Sequence, residues 1–170
     1  MTFLDVGVGH INVKRQWPLA VRRMIRMLKQ EQKKGARVVT LNEISKEMAL
    51  AIKALPGWDI HWEINDELPN GNWSGNAIAW RTDHFEAERR WAMPVEIDYR
   101  RGKRGNMGPW FKRTIKFACV RLRSIKYKTF KFVVQAFHNP TRFNSNGKSR
   151  EACVDKSSRF AAGRIKRGVA

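Results

Sequence analysis

The spacing of apolar residues changes twice along the chain, and this change constrains the fold more than any other feature. Residues 3–13 alternate between two faces, as in a strand, and their glycines predict a crowded, central position in a sheet. Over residues 18–34 the apolar positions recur at helical spacing, and Gly35 is a stop signal. The apolar run Val38-Val39-Thr40-Leu41 then predicts a buried strand. A strand, a helix and a second strand in succession predict an α/β fold.

The rest of the chain is predicted to form a short helix, several strands and a last helix. The short helix covers residues 45–55 and ends at Pro56-Gly57. Strands are predicted at residues 59–64, 76–81, 85–97, 112–122 and 129–137, with loops at Asn70-Gly71 and over residues 101–109. The last helix is predicted at about residues 149–167, and its apolar side is formed by Cys153, Val154, Phe160, Ala161 and Ile165. A chain of 170 residues with 42% hydrophobic residues has the size and apolar content of one domain.

Positive charge is concentrated in one part of the chain. The sequence has 34 Lys and Arg against 15 Asp and Glu, which gives a formal net charge of +19. From Tyr99 to Arg150 there is no acidic residue. Solubility alone requires only mixed charges, so this stretch favours the binding of phosphates and predicts nucleic acid as the partner. The stretch contains the residues that we assign to nucleic-acid binding: Arg100, Arg101, Lys103, Arg104 and Arg142.

The cysteines and the apolar runs indicate where such a chain works. Cys119 and Cys153 are too few for a disulfide framework or a cysteine zinc site, which fits a reducing compartment. No apolar run approaches the ~18 residues that span a bilayer, and the first residues lack the pattern of a signal peptide. We therefore expect a cytoplasmic protein without a membrane partner.

Three polar residues are predicted at the ends of strands. Glu43 directly follows the buried strand, where α/β folds place their sites; it is equally compatible with a carboxylate stabilised by the dipole of the next helix. Asn12 lies near the end of the first strand, where an isolated Asn is more often a turn residue. His138 follows the strand at 129–137, where most histidines are structural. A rim histidine beside a basic surface nevertheless suits acid/base work on a phosphodiester.

The order of these segments resembles the endonuclease/exonuclease/phosphatase family, which includes deoxyribonuclease I and the apurinic-site endonucleases. The matching segments are Ile11-Asn12-Val13, Val38-Val39-Thr40-Leu41-Asn42-Glu43, Ser74-Gly75-Asn76-Ala77-Ile78-Ala79-Trp80-Arg81 and Phe137-His138-Asn139-Pro140. The resemblance implies half of a four-layered α/β sandwich over residues 1–170, with a mixed, mainly antiparallel sheet and outer helices. It also implies hydrolysis of nucleic acid with Mg²⁺ or Mn²⁺. By the same resemblance Glu43 is the metal ligand, Asn12 and His138 are catalytic groups at the phosphate, and Arg113 contacts phosphate.

Two motifs of that family do not occur in this sequence. Members continue past the last helix into Gly-Asp-x-Asn and end with Ser-Asp-His, whereas Thr82-Asp83-His84 lies in mid-chain and is interpreted as a loop. Ser74 lies where the deoxyribonuclease branch has the carboxylate that orients its histidine. We therefore expect a weakly bound metal, weak or absent catalysis, and self-association or a second polypeptide that completes the sheet. The alternative is a non-catalytic basic protein that binds nucleic acid on the same scaffold. DNA is favoured over RNA.

Overall fold

The computed structural model describes residues 7–12, 19–67, 73–100, 102–103, 106–137, 151 and 153–159. Residues 12, 66–67, 73–74, 102–103 and 106–107 are described by their backbone only. The elements are β1 (Val8–Asn12), α1 (Ala20–Lys33), β2 (Val38–Ile44), α2 (Lys46–Lys53), β3 (Trp58–Glu67), β4 (Trp73–Arg81), β5 (Phe85–Tyr99), β6 (Gly102–Lys103), β7 (Asn106–Met107), β8 (Phe111–Ser124) and β9 (Lys131–Ala136). Residues 151 and 153–159 are helical.

The longer strands form two sheets. Sheet A has the order β1-β2-β4-β3, in which β1 is parallel to β2 and the other neighbours are antiparallel. Sheet B has the order β5-β8-β9 and is antiparallel throughout. The short strands β6 and β7 pair with each other inside the segment that was predicted as a loop. The predicted mixed, mainly antiparallel arrangement is confirmed.

The apolar residues divide the molecule into layers. One face of sheet A packs against the two helices, where Leu41 lies in one cluster with Met24 and Ile52. The opposite face packs against sheet B, where Trp80 lies in one cluster with Phe85. The outer face of sheet B packs against the helical residues 153–159 through Cys153, and burial raises the pKa of that thiol. The layers therefore run helix, sheet, sheet, helix, and the predicted α/β class is confirmed.

Local signals set the ends of both helices near the site. Gly35 follows α1 with φ +93, a backbone conformation that favours glycine, and the stop predicted there is confirmed. Ser45 is the N-cap of α2, and its side chain accepts a hydrogen bond from the backbone N of Met48 at 3.3 Å. The boundary at Ser45 fixes where β2 ends and α2 begins.

Gly7, which precedes β1, and Gly9 within it are crowded, as their pattern predicted. A Cβ at Gly7 would lie 2.2 Å from the backbone O of Gly35, and one at Gly9 would lie 2.9 Å from Oε2 of Glu31. The predicted central position is wrong for the described strands, because β1 lies at the end of sheet A with β2 as its neighbour. Crowding here comes from the end of α1 and from the residues that lead into β2.

The last helix differs from its prediction in one position. Cys153 is buried, but Val154 is 47% exposed and does not belong to the apolar side. Phe160, Ala161 and Ile165 lie outside the described residues, as do Pro18 and Asn70-Gly71. None of the helices in the described ranges combines the length and the apolar character needed to cross a membrane.

Candidate functional site

A row of polar residues crosses sheet A at the end of β2. The register places Asn12 opposite Asn42, Asn42 opposite Asn76, and Asn76 opposite Glu63. Residues directly opposite each other in neighbouring strands project to the same face. Asn42 alternates with Val38, so the row belongs to the face that packs against sheet B. We call Asn12, Asn42, Asn76 and Glu63 the polar row. Asn12 is included only because its backbone pairs with that of Asn42.

The two central members of the row are buried amides with different surroundings. Asn76 is 1% exposed, and its Nδ2 donates a hydrogen bond to the backbone O of Lys116 at 3.3 Å. Asn42 is 8% exposed, and no donor among the described residues reaches its Oδ1. A buried polar atom without a partner costs about 1–3 kcal/mol, so a ligand, an ion or an ordered water at this oxygen would stabilise the site. Sequence reasoning singled out neither amide.

Glu43 lies beside the polar row in a strained backbone conformation. Its φ is +58, in the left-handed region, and the register of β2 against β4 shifts between Asn42 and Ile44. A residue other than glycine in that region costs about 1–2 kcal/mol, and such strain concentrates at functional sites. Bulges of this kind re-aim a side chain. Glu43 also precedes the N-cap Ser45 by two residues. The helix dipole acts mainly within the first turn, so this position favours a site over dipole stabilisation.

Sheet B is held over the polar row by Asn65 of β3. Its Nδ2 donates to the backbone O of Lys116 at 2.8 Å, and its Oδ1 accepts from the backbone N of the same residue. Arg113 donates to the backbone O of Asn65. These bonds fix β8 next to the row and leave the Lys116 side chain exposed there.

An imidazole lies one step further along the same face, beside the carboxylate of Glu63 in the polar row. His61 is opposite Ile78, and its Nε2 is 3.2 Å from the backbone O of Trp91 and 3.4 Å from Oε1 of Glu63. Both side chains are largely buried. The strict alternation of His61 and Glu63 with the apolar Ile60 and Trp62 was the signal in the sequence that could have identified this pair.

The structure brings together only part of the predicted site. Glu43 and the backbone of Asn12 lie at the two sides of Asn42. Arg113 and Arg100 lie at the β5–β8 hairpin, and Lys103 is described by its backbone only. His138, Arg101, Arg104 and Arg142 lie outside the described residues. Their assignments, like those of the other site residues, stay predictions.

Part of the basic stretch is neutralised by acids from β5. Lys112 lies 2.8 Å from Asp98 and 3.7 Å from Glu96, and the hydrogen bond to Asp98 raises the pKa of Lys112. Lys131 lies 2.7 Å from Glu88, and its hydrogen bond lowers the pKa of Glu88. These partners were missed because they precede the acid-free stretch in the sequence. Local excess charge is therefore smaller than the residue counts suggested.

Thr82-Asp83-His84 is a turn between β4 and β5, as predicted. Arg81 donates two hydrogen bonds to Asp83, at 3.0 and 2.6 Å, and they hold the pKa of Asp83 below its usual value. Asp83 therefore forms a structural ion pair with Arg81.

Comparison with known proteins identifies the fold. No family model matches the sequence, and no curated protein is significantly similar to it. The catalytic domain of human Nocturnin with bound sulfate matches 95% of this chain with a TM-score of 0.61, at 12% identity over 60% of its own length. An endonuclease/exonuclease/phosphatase family protein from Bacteroides thetaiotaomicron matches 92% of this chain with a TM-score of 0.58, at 14% identity over 59% of its length. This chain has the endonuclease/exonuclease/phosphatase fold.

The same fold is found in humanised D. rerio TDP2, which matches 94% of this chain with a TM-score of 0.54, at 12% identity over 55% of its length. The resemblance inferred from the order of the motifs is thus confirmed at the level of the fold. The chain spans between 50 and 62% of the length of the solved chains described by these matches.

The donors at the polar row suit a hard cation. Glu43 offers a carboxylate, and Asn42 offers an amide oxygen that no donor in the described part of the chain reaches. Oxygen atoms of these two kinds are ligands that Mg²⁺ accepts, and Mg²⁺ is commonly held by one or two carboxylates together with water and substrate phosphate. The described residues contain no group of three or more His, Cys, Asp or Glu that could hold a metal. The donors present therefore fit a divalent cation that is held by oxygen ligands, with water completing its coordination.

Proposed function

We propose that this chain is a weak phosphodiesterase that acts on nucleic acid with Mg²⁺ or Mn²⁺. The observation that carries the proposal is the end of β2, where the strained Glu43 lies beside the buried amide oxygen of Asn42, which has no partner among the described residues. Strain and an unsatisfied polar atom both destabilise the fold, and both occur at the same strand end. A bound cation would offset both costs.

Two solved structures with this fold support a phosphate-like ligand. The Nocturnin catalytic domain holds a sulfate, which is a tetrahedral anion like phosphate. A Bacteroides thetaiotaomicron mannosyl-6-phosphatase has a TM-score of 0.58 to this chain. The net charge of +19 favours a polyanion over a small phosphate ester, because many phosphates in one molecule release many counterions.

Each predicted residue has a role in this proposal. Glu43 would hold the metal, and Asn12 would contact the phosphate. His138, which follows β9 in the sequence, would transfer a proton. The metal, when bound, polarises the phosphoryl oxygen and stabilises the leaving group. Arg100, Arg101, Lys103, Arg104, Arg113 and Arg142 would contact the phosphates of the strand.

The organisation of the chain is also part of the proposal. Residues 1–170 would form one domain, in the cytoplasm. β1 is one end strand of sheet A and β9 is one end strand of sheet B, and an open strand edge favours pairing with another chain. We infer either self-association or a second polypeptide at these edges.

Nicking of a supercoiled plasmid tests the catalytic proposal. We expect slow nicking by the wild type that a chelator stops. Glu43→Gln and His138→Ala should abolish it, because they remove the metal carboxylate and a proton-transfer group typically worth ~10²–10⁴-fold. Glu47→Gln is the matched control, since Glu47 is an exposed carboxylate in the first turn of α2. Affinity for nucleic acid should change little in all three variants.

The second candidate is a nucleic-acid-binding protein without catalysis. It is favoured by the single carboxylate at the end of β2 and by the large positive charge. Equal nicking by wild type and Glu43→Gln, or no nicking by protein that binds nucleic acid, would establish this candidate in place of the enzyme.

A further inference from the structure

The β5–β8 hairpin extends past the part that packs against sheet A. Its strands pair from Phe85 opposite Ser124 to Tyr99 opposite Phe111. The contact with β3 at Asn65 involves Arg113 and Lys116, and the strands continue beyond it. We call Tyr99, Arg100, Trp110, Phe111 and Arg113 the hairpin end.

Large aromatic side chains are exposed at the hairpin end. Trp110 is 47% exposed and Phe111 is 41% exposed. Trp110 directly precedes Phe111 in the sequence, and exposed apolar groups in one region of a protein are characteristic of binding surfaces. The rings of Tyr99 and Phe111 contact each other edge to face, with centroids 5.7 Å apart and an interplanar angle of 77°. Their mutual packing fixes the ring planes before any ligand binds.

A guanidinium group accompanies two of these rings. The Cζ atom of Arg100 lies 4.6 Å from the centroid of Trp110, and that of Arg113 lies 4.7 Å from the centroid of Tyr99. Arginine in such a position can stack on a base and contact the adjacent phosphate. The hairpin end thus carries two pairs of an aromatic ring and a guanidinium group, Trp110 with Arg100 and Tyr99 with Arg113.

We infer that the hairpin end is a stacking platform for unpaired bases, so that this chain binds single-stranded nucleic acid more tightly than duplex. The inference rests on the proposed function in taking nucleic acid as the ligand. Aromatic rings beside a basic surface bind single strands because every base has a face that can stack. In a duplex those faces are covered by neighbouring base pairs. The platform therefore increases the affinity for single-stranded nucleic acid alone, whereas the positive charge increases the affinity for single strands and for duplex.

Binding of a short labelled oligonucleotide and of its duplex, measured by fluorescence anisotropy, tests the platform. Replacing both Trp110 and Phe111 by Leu keeps apolar bulk and removes the flat rings. We expect this double variant to bind the single strand about tenfold more weakly. Affinity for the duplex should change by less than about twofold. The pair Trp110→Tyr and Phe111→Tyr, which keeps both rings, should retain the preference.

Tyr127 provides a matched control at the opposite end of β8. It is 41% exposed, and Nζ of Lys126 lies 5.1 Å from its ring centroid. Tyr127→Leu should leave both affinities unchanged. A thermal unfolding transition is measured for every variant to show that it is folded. If the double variant does not fold, the single variants Trp110→Leu and Phe111→Leu replace it in the binding measurements.

The remaining outcomes separate the platform from the proposed function. If the double variant weakens both forms equally, or neither, the platform is wrong and nucleic-acid binding stands. If the wild type binds neither form, the proposed function fails and the platform fails with it. If the double variant loses binding to phosphatidylserine vesicles but keeps its preference for the single strand, the hairpin end is a membrane contact and the platform is wrong.

Discussion

Glu43 shows at the scale of one residue what the sequence can and cannot reveal. Its place at a strand end follows from the apolar run before it and from the helix signals after it. Its left-handed backbone could not be predicted, because Glu carries no preference for that region. The strain arises from the shift of register between β2 and β4, which is a property of two strands and not of one residue.

Glu43→Gly and Glu43→Ala both remove the carboxylate, but only the glycine variant relieves the backbone strain. Glycine adopts positive φ without steric cost, so Glu43→Gly should be about 1 kcal/mol more stable than Glu43→Ala, which keeps the strain. The free energies of unfolding from urea titrations of both variants measure the difference. If Glu43→Gly is no more stable than Glu43→Ala, the backbone at this position is not strained in solution.

Asn42 and Asn76 could be recognised from the sequence only in part. Each is in phase with inward-facing apolar residues of its own strand, which predicts an inward amide in both cases. That the two amides lie opposite each other depends on the register of β2 against β4, which the sequence does not specify. The polar row is therefore a result of strand pairing.

At the scale of elements, the β5–β8 hairpin explains why an acid-free stretch can still fold compactly. β8 carries basic residues and no acid, and β5, which pairs with it, carries Glu86, Glu88, Glu96 and Asp98. Cross-strand pairs of opposite charge favour this register. Both strands could be predicted from their alternation, but their pairing could not.

Gly75 is predicted to be the least replaceable glycine of sheet A. A Cβ there would lie 1.9 Å from the backbone O of Glu63, so Gly75→Ala requires β3 or β4 to move. We expect a loss of about 3 kcal/mol in the free energy of unfolding, as for severe overpacking. Gly35 has a positive φ but nothing within 4 Å of an added Cβ, so Gly35→Ala should cost only about 1–2 kcal/mol. Equal costs for the two variants in urea titrations would contradict the close approach at Gly75.

For the whole molecule, the class of fold could be predicted from the sequence, whereas the site could be predicted only in part. The order of one strand, one helix, a second strand and then several strands is sufficient for the α/β class and for the family resemblance. The two sheets are held together by Asn65 and Asn76 on the backbone of Lys116, about 40–50 residues away in the sequence. Contacts at such separation leave no periodic signal, and for that reason the place where the sheets meet was not predicted.

The net charge of the whole molecule predicts binding that depends on salt. Affinity for a nucleic acid of any sequence should fall at least about tenfold between about 50 and 200 mM salt, because phosphate contacts release counterions. Lys116→Ala should reduce the slope of log affinity against log salt by about one, since this exposed side chain lies beside the polar row. Lys112→Ala should change it little, because Lys112 already pairs with Asp98 and Glu96. A flat salt response would contradict phosphate binding altogether.

The division of the strands between the sheets has a consequence for how the protein is made. All strands of sheet A come from residues 8–81, and all strands of sheet B come from residues 85–136. A nascent chain can therefore close sheet A with short loops while the ribosome is still synthesising β8 and β9. Until those strands emerge, Val38, Ile78 and Trp80 face water. The interface between the sheets, on which the polar row lies, thus becomes dry only after β8 and β9 have emerged.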